Sequence, residues 1–572
     1  MLKQLGLGGT LLGMTIAGVW GAVWAARPVT NHASFPGSPR QFVKYAGYRN
    51  NNPVFDPDLN WRVHWTFTAH EPLQQASIAN GMIYVSGDGG NRQDPWDNRI
   101  YAVDARTGHL LWSRRLNNMS MTTPVVAANM VFVGTGTQQF QGQNLSRENR
   151  LDSRHITRGT GPAAIWALNA RTGSVLWRYA TRGEDMPSFV YSHDHLYCAN
   201  GQGEVYDFNA RTGQLDWSRS IGSYVSMSSP VLGPHGTLYV SGAHPYAIYA
   251  INTRNHQIRW RRVLPHVFAG SDDSGLSYAA GRIAVEGTIG SWQHPESALF
   301  CLDARTGAII YRRVLGSGLL PTDIEVSAPV IVHDRIYVGS PLTGQEYAYD
   351  LFQGKRLWSF TAAGPISASV AVTPHTLYVG DERGFLYALD PHDGRERGSR
   401  YLSGVMAADY PIVVGKTLYE PDENGQLFAI DRAKLLTRNQ HHPPTLPMPA
   451  GILGHRIREG EAIFMRPWRG GQGLSCESCH IAGGTLTTYQ HGVVVPSLLG
   501  AAAGYPTVVN GQVRTLDEQI NRCLKSMGGA PLSSHDPRLQ ALNVYLRWLA
   551  SGWPVALNHQ VQPIQGTGGG CQ

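Results

Sequence analysis

Cys476-Glu-Ser-Cys479-His480 is the stretch whose residue types and spacing can do chemistry. Two thiols three positions apart add across the two vinyl groups of a haem, and the adjacent imidazole then falls beneath the iron as its proximal ligand. A bare C-x-x-C would also serve as half a zinc site or as a redox dithiol. No second C-x-x-C follows to complete a zinc knuckle, and the surroundings are not a βαβ pattern. With His480 directly after, the expectation is one covalent haem c held by Cys476 and Cys479, with His480 on the iron.

Haem is attached in this way outside the bacterial cytoplasm, so an export signal is expected. Lys3 is followed by an apolar run from Leu5 to Ala26, and Val23-Trp-Ala25 ends in the small-residue pattern of a cleavage site. Residues 1–26 read as a signal peptide. Left uncleaved, a run of roughly 20 residues would span a bilayer as an anchor. The expected location is periplasmic, with membrane contact only through that segment if it is retained.

The chain has 572 residues and a formal charge of +7, made by 42 Arg and 6 Lys spread along its length. Without a basic tract or nucleic-acid motif, no nucleic acid is expected as a partner. Six cysteines in a chain of this size do not make a disulfide scaffold. Cys198 and Cys301 lie in apolar strand patterns and read as small buried hydrophobes, and Cys571 lies in a Gly-rich tail.

An internal repeat organises the first three quarters. Ile100-Tyr-Ala-Val-Asp104-Ala-Arg-Thr-Gly108 leads to Trp112, and the phrase returns at Ile165–Gly173 with Trp177 and at Val205–Gly213 with Trp217. Weaker copies end at Asn252, Asp303, Asp350, Asp390 and Asp431, which makes eight. Each unit is an alternating strand, a polar turn in which Gly supplies a positive φ, and a strand carrying an aromatic. Two more strand-like runs precede each phrase. Four strands per roughly 40 residues is a propeller blade. The eighth phrase has no outer strand after it, whereas Trp61-Arg-Val-His-Trp65-Thr-Phe67 is an outer strand with no phrase before it. The N-terminal strand is therefore expected to close the last blade.

These phrases resemble the repeats of the pyrroloquinoline-quinone (PQQ) propeller superfamily, with its Ala-x-Asp-x-x-Thr-Gly-x-x-x-Trp motif, over about Trp61 to Asp431. The fold expected is mainly β: an eight-bladed PQQ-like β-propeller followed by a small all-α cytochrome c domain. The divisions expected are a propeller over 55–436, a Pro-rich linker over 437–452, a cytochrome c domain over 453–555 and a disordered tail over 556–572.

In the haem domain, Gly460–Phe464 and Leu539–Leu549 read as the paired terminal helices, the second opening after Asp536-Pro537. Met527, on a loop before the last helix, is the expected second axial ligand, since thioether ligation raises the potential of the iron. Asn521-Arg-Cys-Leu-Lys-Ser-Met527 also resembles monohaem cytochromes of thiosulfate-oxidising systems. Some of those use a Cys thiolate on the iron, which keeps Cys523 as an alternative to Met527; His491, His535, Met465 or an open position complete the set.

Three functions remain open. The propeller-then-haem order resembles quinohaemoprotein dehydrogenases, which implies PQQ in the propeller and electrons passed from substrate through the haem to a redox partner protein. Those enzymes have a vicinal Cys-Cys pair that is absent here, and no PQQ- or calcium-binding residue can be carried over. A second reading is a PQQ-free propeller acting on thiosulfate or tetrathionate, and a third is a non-catalytic docking propeller. The face carrying the long insertions Asp88–Asn98, Gly136–Ala163 and Ile289–Ser297 and the interblade stretch His266–Ser274 is the expected site face. Asp94, Trp96, Asp97, Asp272, Asp273, Trp292, Glu296 and the Asp323–Glu325 pair are its candidates for proton transfer or cation binding.

Overall fold

The computed structural model describes residues 62–436 with gaps at 70, 88–97, 138–155, 160, 293, 319–325, 363, 383, 403–405, 407–409 and 424, then, in the C-terminal part, 451–466, 468, 475–476, 488–490, 493–495, 498, 502, 505, 507–509 and 512–550 without 527. The expected signal segment, the linker 437–450 and the tail lie outside these residues. No helix among the described residues is long and apolar enough to cross a membrane.

Eight antiparallel sheets follow one another along the chain. In the first, Leu73–Ala79, Met82–Gly87, Arg99–Asp104 and Leu110–Arg115 run from a fully buried inner strand to an exposed outer one. The fifth blade carries an extra short strand, Ser277–Ala279. The eighth takes Ile412–Val414, Thr417–Pro421 and Gln426–Asp431 from the end of the propeller and Trp65–Thr68 from its beginning. Trp65 pairs with Ala429 in that ladder. The ring closes as the sequence requires.

The repeated phrase has a physical reason at every position. The Asp104 carboxylate accepts the backbone N–H groups of Arg106 (3.0 Å) and Thr107 (2.8 Å) and the Thr107 hydroxyl (2.8 Å), shaping the turn. Gly108 then adopts φ +74°. Its missing Cβ leaves room for an aromatic of the preceding blade: one placed there would stand 2.6 Å from the Trp65 ring. Trp112 sits in the same way against Gly173, Trp177 against Gly213 and Trp358 against Gly394. Each indole N–H reaches a carbonyl of the turn it covers, as in Trp112 to Ala170 (3.0 Å) and Trp177 to Ala210 (2.8 Å). At the fourth blade His256 replaces the glycine at φ +62°, and Trp217 stacks on its ring at 4.7 Å instead. The repeat is thus a blade-to-blade lock. Cys198 and Cys301 are buried within blades three and five.

The C-terminal part is built on three helices, numbered after the short α1 (Arg432–Leu436): α2 (Gly451–Met465), α3 (Leu516–Ser526) and α4 (Pro537–Ala550). α2 crosses α4 at Gly460, where a Cβ would run into the Ala541 carbonyl, and Phe464 lies on Tyr545 at 5.5 Å. Ile457, Phe464, Ile520, Leu524, Leu542 and Leu546 form the core. The interior is all-α as expected, with two short ladders added outside it, Thr488–Gln490 with Val493–Val495 and Thr507–Val509 with Gln512–Arg514. α2 begins at Gly451, within the stretch expected to be linker. α3 stands between the two helices read from the sequence. Its start is a capping box: Glu518 N–H donates to Thr515 Oγ1 (3.2 Å) while Thr515 N–H donates to the Glu518 carboxylate (2.7 Å).

Candidate functional site

Two places among the described residues gather groups that fit the chemistry expected from the sequence. In the C-terminal part, Cys476 is half-buried against the α2–α3–α4 core. Cys479, His480, Met527 and His491 lie outside the described residues. Cys523 is on α3, half-buried, and Gln519 Nε2 lies 3.8 Å from its sulfur. His535 is exposed, and Met465 ends α2 at 41 % exposure. The Trp468 indole N–H, beside the same core, is buried with no hydrogen-bond partner among the described residues.

The second place is on the propeller face formed by interblade segments and second-to-third-strand connections. Arg158 stands in the insertion of blade two and is tied to blade three by its N–H to Gly201 O (2.8 Å). Glu184, between blades two and three, donates its N–H to Arg158 O (2.9 Å) and accepts that of Gly201 (2.8 Å). Between blades three and four, the Met227 and Ser228 N–H groups donate to Asp272 O (3.1 and 2.7 Å), which carries the stretch between blades four and five to the same spot. Four loops far apart in sequence interlock here.

At the centre, Arg158 Nε is 2.9 Å from Glu184 and its Nη1 is 3.6 Å from Asp273. The Glu184 side chain is fully buried, whereas Arg158 and Asp273 each keep 14 % of theirs exposed. Asp185 is buried alongside and accepts hydrogen bonds from Thr181 Oγ1 and Asn200 Nδ2. Burial pushes Glu184 up to about 8, against the opposing pull of Arg158, and pushes Asp185 to about 8. Asp272 is driven well up by burial and by Asp273. Among the described residues one guanidinium faces these carboxyls, and burial favours their protonated forms. More acids, Glu286, Glu346 and Glu420, are buried in blades five, six and eight. No Arg, Lys or His among the described residues is buried to the same degree.

Beside this cluster, Met119, Met121, Met186 and Met227 form a buried group of thioethers from three consecutive interblade segments. Thr122 Oγ1, next to Met121, donates to Asp185 O (2.9 Å), which locks the methionines to the carboxyl cluster.

Of the residues singled out by sequence, only Asp272 and Asp273 join this cluster. Asp94, Trp96, Asp97, Asp323 and Glu325 lie outside the described residues. The expected insertion at Ile289–Ser297 is instead an extended hairpin of Arg282–Ser291 and His294–Asp303. Trp292 sits at its tip, half exposed and 5.0 Å from the Phe268 ring, and Glu296 pairs within the ladder opposite Ile289. Arg158, Glu184 and Asp185 were not singled out by the sequence. The Glu184-Asp185 doublet in an interblade position was their one visible signal.

Known proteins agree with both parts. Residues 55–312, 150–359 and 342–442 match the PQQ-type repeat family described as outer membrane protein assembly factor BamB. Residues 459–555 match the family described as SoxA/TsdA, cytochrome c domain. The tetrathionate hydrolase of Acidithiobacillus ferrooxidans is 29% identical over 356 residues, covering 60% of this chain and 69% of that protein. That of Acidianus ambivalens is 26% identical over 401 residues, 65% of this chain and 73% of that protein. The quinohemoprotein alcohol dehydrogenase structure from Comamonas testosteroni aligns with 86% of this chain and 92% of its own, at a TM-score of 0.48 and 13% identity. The chain belongs to the PQQ-like β-propeller repeat family and carries a C-terminal cytochrome c domain of the SoxA/TsdA type.

Proposed function

We propose that this is an exported, haem c-linked oxidoreductase whose propeller handles inorganic sulfur compounds of the thiosulfate and tetrathionate class. The observation that carries the reading is Arg158 set among buried carboxyls and flanked by four buried methionines. A guanidinium suits a sulfur oxyanion, and polarisable thioethers suit its sulfur chain. The two tetrathionate hydrolase relatives point the same way. Hydrolysis of tetrathionate by itself would leave a haem idle. Joining two thiosulfates into one tetrathionate forms an S–S bond and releases two electrons, for which a haem held in the C-terminal domain would supply one-electron storage on the way to a redox partner protein.

For the haem, Cys476 and Cys479 would hold the porphyrin, with His480 and Met527 on the iron. Cys476 against the apolar helix core and the orphaned Trp468 indole N–H suit a porphyrin with its carboxylate edge. The group supplies one-electron storage when bound. The propeller residues fit PQQ less well. A tricarboxylate quinone would meet one guanidinium amid buried acids, and no vicinal Cys pair stands beside it.

The test is anaerobic mixing of the purified full chain with thiosulfate, tetrathionate or a primary alcohol, with and without added PQQ and Ca²⁺, while the haem spectrum is followed. Reduction by thiosulfate without PQQ is expected. Reduction only by alcohol with PQQ present would make the protein a quinohaemoprotein. No reduction under any condition would leave a docking propeller.

A further inference from the structure

We propose that Arg158 and the carboxyl groups around it form a proton-coupled seat for a divalent sulfur oxyanion, in which the anion enters as a carboxylate takes up a proton. The proposal rests on the sulfur-compound reading and adds how the site controls occupancy.

The geometry leaves few alternatives. Arg158 faces Glu184 and Asp273 in direct ion-pair range, with Asp272 and Tyr224 acting on it from further off. Glu184 faces Asp185 and Asp273 as well as Arg158, and the Ser226 hydroxyl lies against both Glu184 and Asp273. When Glu184 or Asp273 is ionised, that carboxylate balances the guanidinium charge. A dianion then meets a filled site and a like charge. When the carboxylate takes a proton, –COO⁻ plus H⁺ becomes –COOH, and the guanidinium charge that it balanced is left to pair with the incoming anion. The new carboxylic acid is itself a donor to an oxyanion. No electron moves in this step.

Two further hydroxyls point to a ligand. Ser228 and Ser271 are fully buried, flank the Asp272 loop, and their Oγ atoms have no hydrogen-bond partner among the described residues. Buried hydroxyls in the two loops that hold Asp272 beside this cluster are what an oxyanion would satisfy. Arg158 and Asp273 keep part of their surface open, so the seat is not sealed.

The direction with pH follows. Burial raises Glu184 to about 8 and raises Asp273 as well. Anion affinity should be level while the cluster is protonated. Above the turning point, near or below pH 8, it should fall about tenfold per pH unit, one proton being taken up per anion bound.

The test is calorimetric titration of the holoprotein with sulfate and with tetrathionate from pH 5 to 9, in buffers of different ionisation enthalpy. Sulfate exchanges no electrons with the haem, so it reports binding alone. Expected are uptake of one proton per anion at high pH, none at pH 5, and an affinity lower at pH 9 than at pH 5 by at least about tenfold. Arg158→Gln should weaken both anions by about 30-fold or more. Arg158→Lys keeps the charge should that variant fail to fold, and should retain the pH dependence with weaker binding. Glu184→Gln should bind with a flattened pH profile. Equal affinity at pH 5 and 9, or unchanged binding in both Arg158 variants, overturns the seat. Proton-linked sulfate binding without haem reduction by any sulfur compound would sink the proposed function and leave the seat standing. Haem reduction by thiosulfate with pH-independent binding would do the reverse.

Discussion

Trp65 donates its indole N–H to the Ala105 carbonyl oxygen at 3.3 Å, and so joins the chain's first described strand to the first turn of blade one. The same tryptophan packs on Tyr419 of blade eight at 5.8 Å. One side chain therefore spans the seam of the ring. Trp65→Ala should lower stability by about 2–4 kcal/mol, read as a drop in the melting temperature of the full chain. Limited proteolysis should then cut first near the N-terminal strand. Cleavage spread evenly among the blades would show that the seam is not the weak point.

Stability should fall as pH rises. Glu184 and Asp185 are raised to about 8, and burial also raises Glu286, Glu346 and Glu420 well above the ordinary carboxyl range. The folded chain thus binds more protons than the unfolded chain between the ordinary carboxyl range near 4 and these raised values. The contribution is fully present below about pH 4 and is lost as pH climbs through 8, at up to about 1.4 kcal/mol per pH unit for each such group. Melting temperatures between pH 4.5 and 9 check this. Glu286→Gln and Glu420→Gln should flatten the slope, and a melting temperature that rises with pH would contradict it.

The haem assignments separate cleanly by spectroscopy. Cys476→Ala or Cys479→Ala should remove covalent haem, seen as loss of haem staining on a denaturing gel. Met527→His should lower the reduction potential. Cys523→Ser should leave the axial ligation and the potential unchanged. If Cys523→Ser alters the low-spin spectrum and Met527→His does not, the thiolate is the ligand.

Gly460 permits α2 and α4 to touch. Gly460→Val would drive a branched side chain into the Ala541 carbonyl and the Tyr545 Cβ, two contacts that cannot both retreat. Loss of about 1–3 kcal/mol is expected from overpacking, and haem loading should fall with it. A chemical denaturation curve with absorbance as the probe measures both.

The propeller was legible because its signal is local: an Asp that shapes a turn, a Gly that admits a neighbour's indole, and an aromatic that fills the space. Those three requirements recur within a dozen residues and print themselves on the sequence. Even the unpaired outer strand at Trp65 was readable, since a closed ring cannot leave one blade short. The carboxyl cluster was not legible. Arg158, Glu184 and Asp273 stand in three different segments, and nothing in the spacing from 158 to 273 tells that blades two to five bring them together. Asp272 and Asp273 were noticed as acids in a loop, not as partners of a guanidinium. Helix α3 was missed for a different reason. Its polar face and the nearby glycines masked it, although the Thr515-x-x-Glu518 capping box was there to be read.

Closing the last blade with the first strand also sets an order of events during biogenesis. Val63 N–H reaches Thr417 Oγ1 across 354 positions of sequence, so the ring cannot lock until nearly the whole propeller has been delivered. Loop-closure entropy over such a span makes this a late step. The segment bearing Cys476 emerges only after Asp431. On the proposed function, the propeller would finish folding at about the moment the cytochrome c segment is delivered, and the seam at Trp65 would stand between export and haem attachment.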